Sequence, residues 1–324
     1  MNILEKERHL KELEEKINKL GNRRIVRKLK EEVENYKKTE MIKLTAWDRV
    51  LLARHPNRPR AMAYINYMCP DFMELHGDRL YSDDRSIIGG IGSIDGMPFT
   101  IIAQQKGSSL EENLERNFAM PHPEGYRKAL RLMQQAEKFK RPIITIIDTP
   151  GAYPGIGAEE RGQGQAIANN LLAMSNLTVP VIAVVIGEGG SGGALALGFA
   201  NKVLMLENSI YSILSPEGYA SILWKDSSKS KEAAEAMKLT AYDLEEFNII
   251  DGIIKEPLGG AHFDKETTFF ETKRALLNEY FKLRRLSGTE LHYQRNNKVR
   301  NFGFLQRFNY DNLGGIKRWF IRKF

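Results

Sequence analysis

Only one cysteine, Cys69, occurs among the 324 residues, which excludes an intrachain disulfide and any zinc site built from several thiolates. Long apolar runs are missing too. The longest clean stretch, Val179–Ile186, falls far short of the ~20 residues that a membrane-spanning helix needs. The chain opens on Glu and Lys rather than on the apolar region of a signal peptide. Asp71, Glu74 and Asp78 lack a spacing that would suit a metal ion. These absences predict a cytoplasmic protein with no membrane association and no metal of its own. Composition is otherwise globular, 42% hydrophobic and 27% charged, with length enough for a sizeable core.

The net charge of +7 is unevenly placed. Phe281 to Phe324 carries eleven Lys/Arg against two Asp/Glu, a balance of +9, so the rest of the chain sums to −2. The basic character therefore belongs to a tail, read as solvated or facing a partner. Nucleic acid is a possible contact, although no recognised nucleic-acid module accompanies the tail.

What the chain does have is glycine after strands. Thr149-Pro150-Gly151-Ala152-Tyr153-Pro154-Gly155-Ile156-Gly157 follows the apolar run Ile143–Asp148. Gly187-Glu188-Gly189-Gly190-Ser191-Gly192-Gly193 follows Val181–Ile186. Both run into helix-like sequence. A helix start leaves backbone N–H groups without intrahelical acceptors, and its dipole favours negative charge there. Without a Cβ, glycine lets another group approach the backbone closely. Two such stretches at neighbouring strand ends predict a site that stabilises anions with main-chain amides. The bland alternative is that they only make tight turns.

The remaining pattern sets the class. Leu10, Leu13, Ile17 and Leu20 repeat at 3-4-3 spacing, Gly21-Asn22 interrupts, and Ile25, Leu29, Val33 and Tyr36 continue. This predicts a helical hairpin over 1–44 whose apolar face covers either its own domain or another subunit. Asp95-Gly96 between apolar runs predicts a β-hairpin. A polar loop, Lys106–Pro123, leads to helix Tyr126–Phe139. Strand Ile143–Ile147, helix Glu159–Met174, strand Val181–Ile186, a loop 187–193 and helix Ala194–Phe199 follow. Buried-looking strands alternating with helices indicate an α/β domain over 45–265, with ligands at the strand carboxyl ends. Residues 266–324 read as a C-terminal helix and the basic tail.

Two other motifs overlap the second glycine stretch. Gly187 to Gly192 satisfies G-x-G-x-x-G, with Glu207 twenty residues on, but it comes after an earlier strand–loop–helix rather than opening the first unit. Gly189, Ser191 and Gly193 satisfy G-x-S-x-G, yet His262 and His292 have no triad-like context. A Walker A loop is excluded because no Lys-Ser or Lys-Thr follows Gly192. Glu159 and Glu160 read as first-turn residues, Asp148 as a cap, His122 as a loop residue between prolines, and Lys106 as an anion contact or a solvated side chain.

Read in order, these stretches resemble one family closely. Ile146 to Gly155, Ala158-Glu159-Glu160-Arg161-Gly162-Gln163, and Val185 to Ala196 are similar to the alpha subunits of bacterial acetyl-CoA carboxylase carboxyltransferases. Pro123 to Arg131, Ser215-Pro216-Glu217-Gly218 and Glu256 to His262 fit as well. The resemblance covers roughly 45–265, more loosely the N-terminal helices, and no family motif lies beyond about 287. It implies a ClpP/crotonase-type spiral of ββα units and an α2β2 heterotetramer with a beta subunit carrying zinc. Biotin carboxylase and the biotin carboxyl carrier protein are implied as further partners. The implied reaction moves a carboxyl group from carboxybiotin to acetyl-CoA, giving malonyl-CoA, the first committed step of fatty acid synthesis.

By the same resemblance, the amides of Gly192 and Gly193 hold the biotin oxygen as it becomes negative. Gly155 and Ile156 come second, as further donors or as shapers of the biotin pocket, and Gly189 and Gly190 are read with them as substrate-binding. The rival reading is a crotonase-like hydratase or isomerase acting alone, with Glu159 or Glu188 as its side-chain acid.

Overall fold

The computed structural model describes residues 2–19, 23–40 and 43–303. Its described residues form one mixed eight-stranded sheet. The strands are β1 (Met73–Glu74), β2 (Ile87–Ile94), β3 (Met97–Gln104), β4 (Ile143–Thr149), β5 (Val181–Gly190), β6 (Lys202–Leu206), β7 (Ile210–Ser212) and β8 (Gly252–Ile254). Their order is β1-β2-β3-β4-β5-β6-β8, with β7 paired to the C-terminal end of β5. The β1–β2 and β2–β3 pairings are antiparallel, the rest parallel. The antiparallel part rests on local chemistry. Asp95 and Gly96 both take positive φ, 49° and 77°, which suits a two-residue turn whose twist matches its strands.

Around the sheet lie α1 (Ile3–Asn18), α2 (Arg23–Glu40), α3 (Ala46–Ala53), α4 (Ala61–Met68), α5 (Leu110–Glu115), α6 (Pro123–Lys138) and α7 (Ile156–Glu160). Then come α8 (Gln163–Asn176), α9 (Ser191–Gly198), α10 (Pro216–Trp224), α11 (Ser230–Met237), α12 (Ala241–Glu246), α13 (Lys265–Leu283) and α14 (Gly288–Arg300). The central strands alternate between two cores. Ile143, Ile147, Val181, Ala183 and Val185 meet residues of α6, α8 and α9, while Ile144, Ile146, Ile182, Val184 and Ile186 meet α4 and α13. Both faces are covered, as a parallel sheet requires.

Two boundaries differ from the sequence reading. The helix expected over Glu159–Met174 is two helices, α7 and α8, broken at Gly162, whose φ is 82°. The expected loop 187–193 is not a loop. β5 continues to Gly190 and α9 begins at Ser191, so strand and helix meet without a connector.

The N-terminal helices cover their own chain: Ile3, Leu10, Ile17 and Val33 cluster with Leu52 of α3. Leu20 and Gly21-Asn22 of the sequence pattern lie outside the described residues. A polar clasp joins α1 to the rest. The buried Glu7 carboxylate lies 3.3 Å from Nε2 of both His55 and His262. The three ligand-type atoms are within 4.8 Å of one another. However, the imidazoles stack at 3.8 Å with planes 15° apart, so their in-plane lone pairs do not converge on one ion. Moreover, His55 Nδ1 accepts from Asn57 N–H, which leaves the ring proton on Nε2, facing Glu7.

Burial, then His55, push the His262 pKa down to about 4 against the pull of Glu7, and burial also lowers His55. Burial raises the Glu7 carboxyl, but Lys11 and the two imidazoles more than reverse this. The unfolded imidazole protonates near 6.5, so between pH 6.5 and 4 only the unfolded chain takes up the proton. Stability is therefore complete above 6.5 and lost as pH falls, by roughly 2 kcal/mol at pH 5 from His262 alone. Thermal unfolding midpoints measured from pH 7.5 to 5 should fall accordingly, and His262→Gln should flatten the profile.

Ser287–Gly303, within the stretch read as a basic tail that is solvated or faces a partner, is largely α14, and Arg295 is wholly buried. It donates to the carbonyls of Met174, Leu177 and Val179 and to Asn201 Oδ1. Residues 304–324 lie outside the described residues.

Candidate functional site

β4 and β5 run side by side and end together, Thr149 opposite Gly189 after a register shift. Beyond β4 the chain turns back over the end of β5, and glycines there make room for backbone. A Cβ on Gly190 would lie 2.1 Å from the Pro150 carbonyl oxygen, and one on Gly193 would lie 2.5 Å from the Gly151 carbonyl carbon and 2.6 Å from Ala152 N. Side chains use the other gaps: Asp148 lies over Gly187, and the Tyr211 ring over Gly189. The glycines thus fit two strand ends together. In the run 187–193 the only positive φ belongs to Ser191, at 48°. The left-handed position in this run is thus held by a serine rather than by one of its five glycines.

The first glycine stretch is held from outside. Gln163 donates to the carbonyls of Pro121 and Tyr153 at 2.8 and 2.9 Å, and Tyr153 stacks on His122. The Thr149 hydroxyl reaches the Ala119 and Gly151 carbonyls. Asn117, Phe118 and Ala119 all take positive φ, an unusual left-handed run directly against the site. It sits inside the expected polar loop, which also contains α5.

Behind the strand ends is an ion cluster. Lys106 Nζ bridges Asp148 at 2.7 Å and Glu188 at 2.8 Å, and Arg54 pairs with Glu188 and Glu217 at 2.7 Å each. Asp148 also accepts the Glu188 N–H. Burial raises the Glu188 carboxyl, but Lys106 and Arg54 outweigh this and bring its pKa to about 2. Glu188 is thus a fixed anion rather than an acid. Lys106 serves inward as a link between the two strand ends.

α9 starts at the edge of a cleft of about 630 Å³, lined by Ser191, Gly192, Leu195, Tyr211, Ile213 and Tyr219 among others. Gly192 borders this cleft, half-buried, and a Cβ there would meet only Ile167, at 3.8 Å. Gly193 is buried just behind it. Both stand in the first turn, where an α-helix supplies no acceptor for its N–H groups. Among the described residues, no side chain or loop carbonyl accepts them either. Gly189 and Gly190 lie inside β5 and do not line the cleft. Gly155 precedes α7 with its Cα against the Tyr153 ring, and the Ile156 side chain is 79% exposed. Contact between the two glycine stretches falls on Pro150, Gly151 and Ala152 rather than on Gly155 and Ile156.

The family model described as acetyl co-enzyme A carboxylase carboxyltransferase-like matches residues 2–303. The acetyl-coenzyme A carboxylase carboxyl transferase subunit alpha of Clostridium perfringens (strain ATCC 13124) is 61% identical over 259 residues, 79% of this chain and 94% of that protein. Its namesake from Alkaliphilus oremlandii is 52% identical over 311 residues, 93% of this chain and 98% of that one. Among solved structures, transcarboxylase 12S with methylmalonyl-coenzyme A and methylmalonic acid bound aligns with a TM-score of 0.55 at 20% identity, covering 68% of this chain and 41% of that one. A Pseudomonas malonate decarboxylase hetero-tetramer in complex with coenzyme A aligns at 0.57 and 17% identity, covering 74% and 96%. These two show the shared fold, the expected crotonase type. By the match along nearly its whole described length, the chain belongs to the family of acetyl-CoA carboxylase carboxyltransferase alpha subunits.

Proposed function

We propose that this chain is one half of a carboxyltransferase site. It takes the carboxyl group of carboxybiotin, presented on a carrier protein, toward acetyl-CoA, and a beta subunit completes the site and the α2β2 assembly. The observation that carries this reading is the first turn of α9, which opens onto a cleft walled by Leu195, Tyr211, Ile213 and Tyr219. Apolar and aromatic walls suit a bicyclic ring with an aliphatic arm, and first-turn N–H groups suit its ureido oxygen. Biotin supplies the labile N–carboxyl bond, whose cleavage places negative charge on that oxygen. The amides of Gly192 and Gly193 meet the charge where it develops, without a titrating side chain. Gly155, Ile156, Gly189 and Gly190 shape the surrounding backbone.

Side-chain chemistry here points away from a stand-alone hydratase. Glu188 is locked in ion pairs, and Glu159 is exposed on α7. Zinc is assigned to the beta subunit. Cys69, the sole thiol, is buried, and burial first, then Asp71, push its pKa up to about 12, far from a metal-binding thiolate. The purified chain alone is therefore expected to form no malonyl-CoA. With its beta subunit it should do so from carboxybiotin and acetyl-CoA. Transfer or enoyl-CoA hydration by the single chain would overturn the half-site reading.

A further inference from the structure

Gln104 ends β3 and is completely buried. Its Nε2 donates to the Gly193 carbonyl at 2.7 Å, across 89 positions of sequence, while its Oε1 has no hydrogen-bond partner. For stability alone this is a poor choice. A buried amide with one end unpaired carries a desolvation penalty that an apolar side chain of the same volume avoids. What the amide does provide is an anchor from β3 onto the first turn of α9. Gly193 is then gripped from two sides, by Gln104 at its carbonyl and by the Gly151–Ala152 backbone against its Cα.

We propose that Gln104 is a positioning residue for carboxyl transfer: it fixes the first turn of α9 so that the Gly192 and Gly193 amides stay aimed as charge develops. This rests on the reading of that turn as the element that meets the ureido oxygen. Electrostatic stabilisation of this kind depends on donors that do not reorganise during the reaction, so an anchor behind them acts on kcat rather than on binding of the acyl acceptor.

The test compares wild type, Gln104→Met and Gln104→His, each as the full chain assembled with its beta subunit. Gln104→Met removes the donor at similar volume. It should keep or raise the thermal midpoint and lower kcat by about 10- to 100-fold, the scale set by small misplacement of catalytic groups. KM for acetyl-CoA should stay within about twofold, since a residue that only positions the donors changes the transition state rather than ground-state binding. Gln104→His keeps an N–H donor of similar reach and should restore most of kcat. Deuterium exchange at residues 194–197, whose N–H groups bond back onto the first turn of α9, should accelerate in the Met variant and recover in the His variant. Unchanged kcat and unchanged exchange in Gln104→Met would overturn the proposal, as would a fall in midpoint with kcat intact. If the wild-type assembly transfers no carboxyl group, the chemical reading of the turn fails. The exchange data then still decide whether Gln104 holds it.

Discussion

Gly193→Val should cost carboxyl transfer at least 10²- to 10³-fold in kcat, about what loss of one oxyanion donor removes in other enzymes. Two effects combine. A Cβ at this position meets Gly151 and Ala152 backbone at 2.5 and 2.6 Å, and backbone cannot rotate aside as a long side chain can. The first turn of α9 and the Pro150–Ala152 backbone must therefore part, and the amides of Gly192 and Gly193 move with them. Overpacking of this kind costs about 1–3 kcal/mol of stability, so the sheet should survive and the beta subunit should still bind. Gly192→Ala is the control for shape. Its Cβ meets only Ile167, at 3.8 Å, so its fold should match the wild type. The decisive measurement is turnover of the assembled enzyme beside the thermal midpoint and co-elution of the subunits. Near-normal turnover by Gly193→Val would remove α9 from the chemistry.

The glycine positions show what the sequence could and could not reveal. Asp95-Gly96 was readable because a two-residue turn is a local object, satisfied by its own dihedral angles. The strand β5 and the helix α9 were readable as elements, but not their junction. Glycine permits strand, loop and helix alike, and the choice among them at 187–193 was made by neighbours 39 to 42 positions away in sequence, Asp148, Pro150 and Gly151. Gln104 was overlooked for the same reason. Its clue was a polar pair, Gln104-Gln105, closing an otherwise apolar strand, and only the fold shows that the first member reaches Gly193.

Charged residues were harder still. Lys106 and Glu188 were weighed as substrate contact and catalytic acid, and both face the ion cluster beneath the strand ends. The helix start at Ser215-Pro216-Glu217 is a local object, with the Ser215 hydroxyl capping Gly218 N–H. That Glu217 also shares Arg54 with Glu188 was not visible. Nor could spacing show that Glu7 meets His262 across 255 positions. Periodicity reports which face of an element is covered; it is silent on which distant ion finds which partner.

Arg58→Met should be the most damaging single change to the fold, about 3–5 kcal/mol, the cost of leaving one member of a buried ion pair alone. Arg58 and Glu256 are both fully enclosed, joined by contacts of 2.6 and 3.1 Å. Arg58 also donates from Nε to the Ile186 carbonyl, midway along β5. Glu256 gathers the N–H groups of Asn208 and Ala261 and the Asn208 amide. Burial works against charge on both, yet each holds the other ionised, Arg58 raised and Glu256 lowered. With Arg58 gone, the Glu256 carboxylate keeps its amide donors but loses its counter-charge, and β5 loses a brace just before the glycines that meet the first stretch. The midpoint of urea unfolding should fall with an unchanged slope, since the surface exposed on unfolding is the same. The double variant Arg58→Met/Glu256→Met separates charge from packing. It leaves no orphaned ion, so it should recover a substantial part of the loss. If the double variant is as unstable as the single one, the pair acts through its shape and its hydrogen bonds to Ile186, Asn208 and Ala261, and the electrostatic account of this brace is wrong.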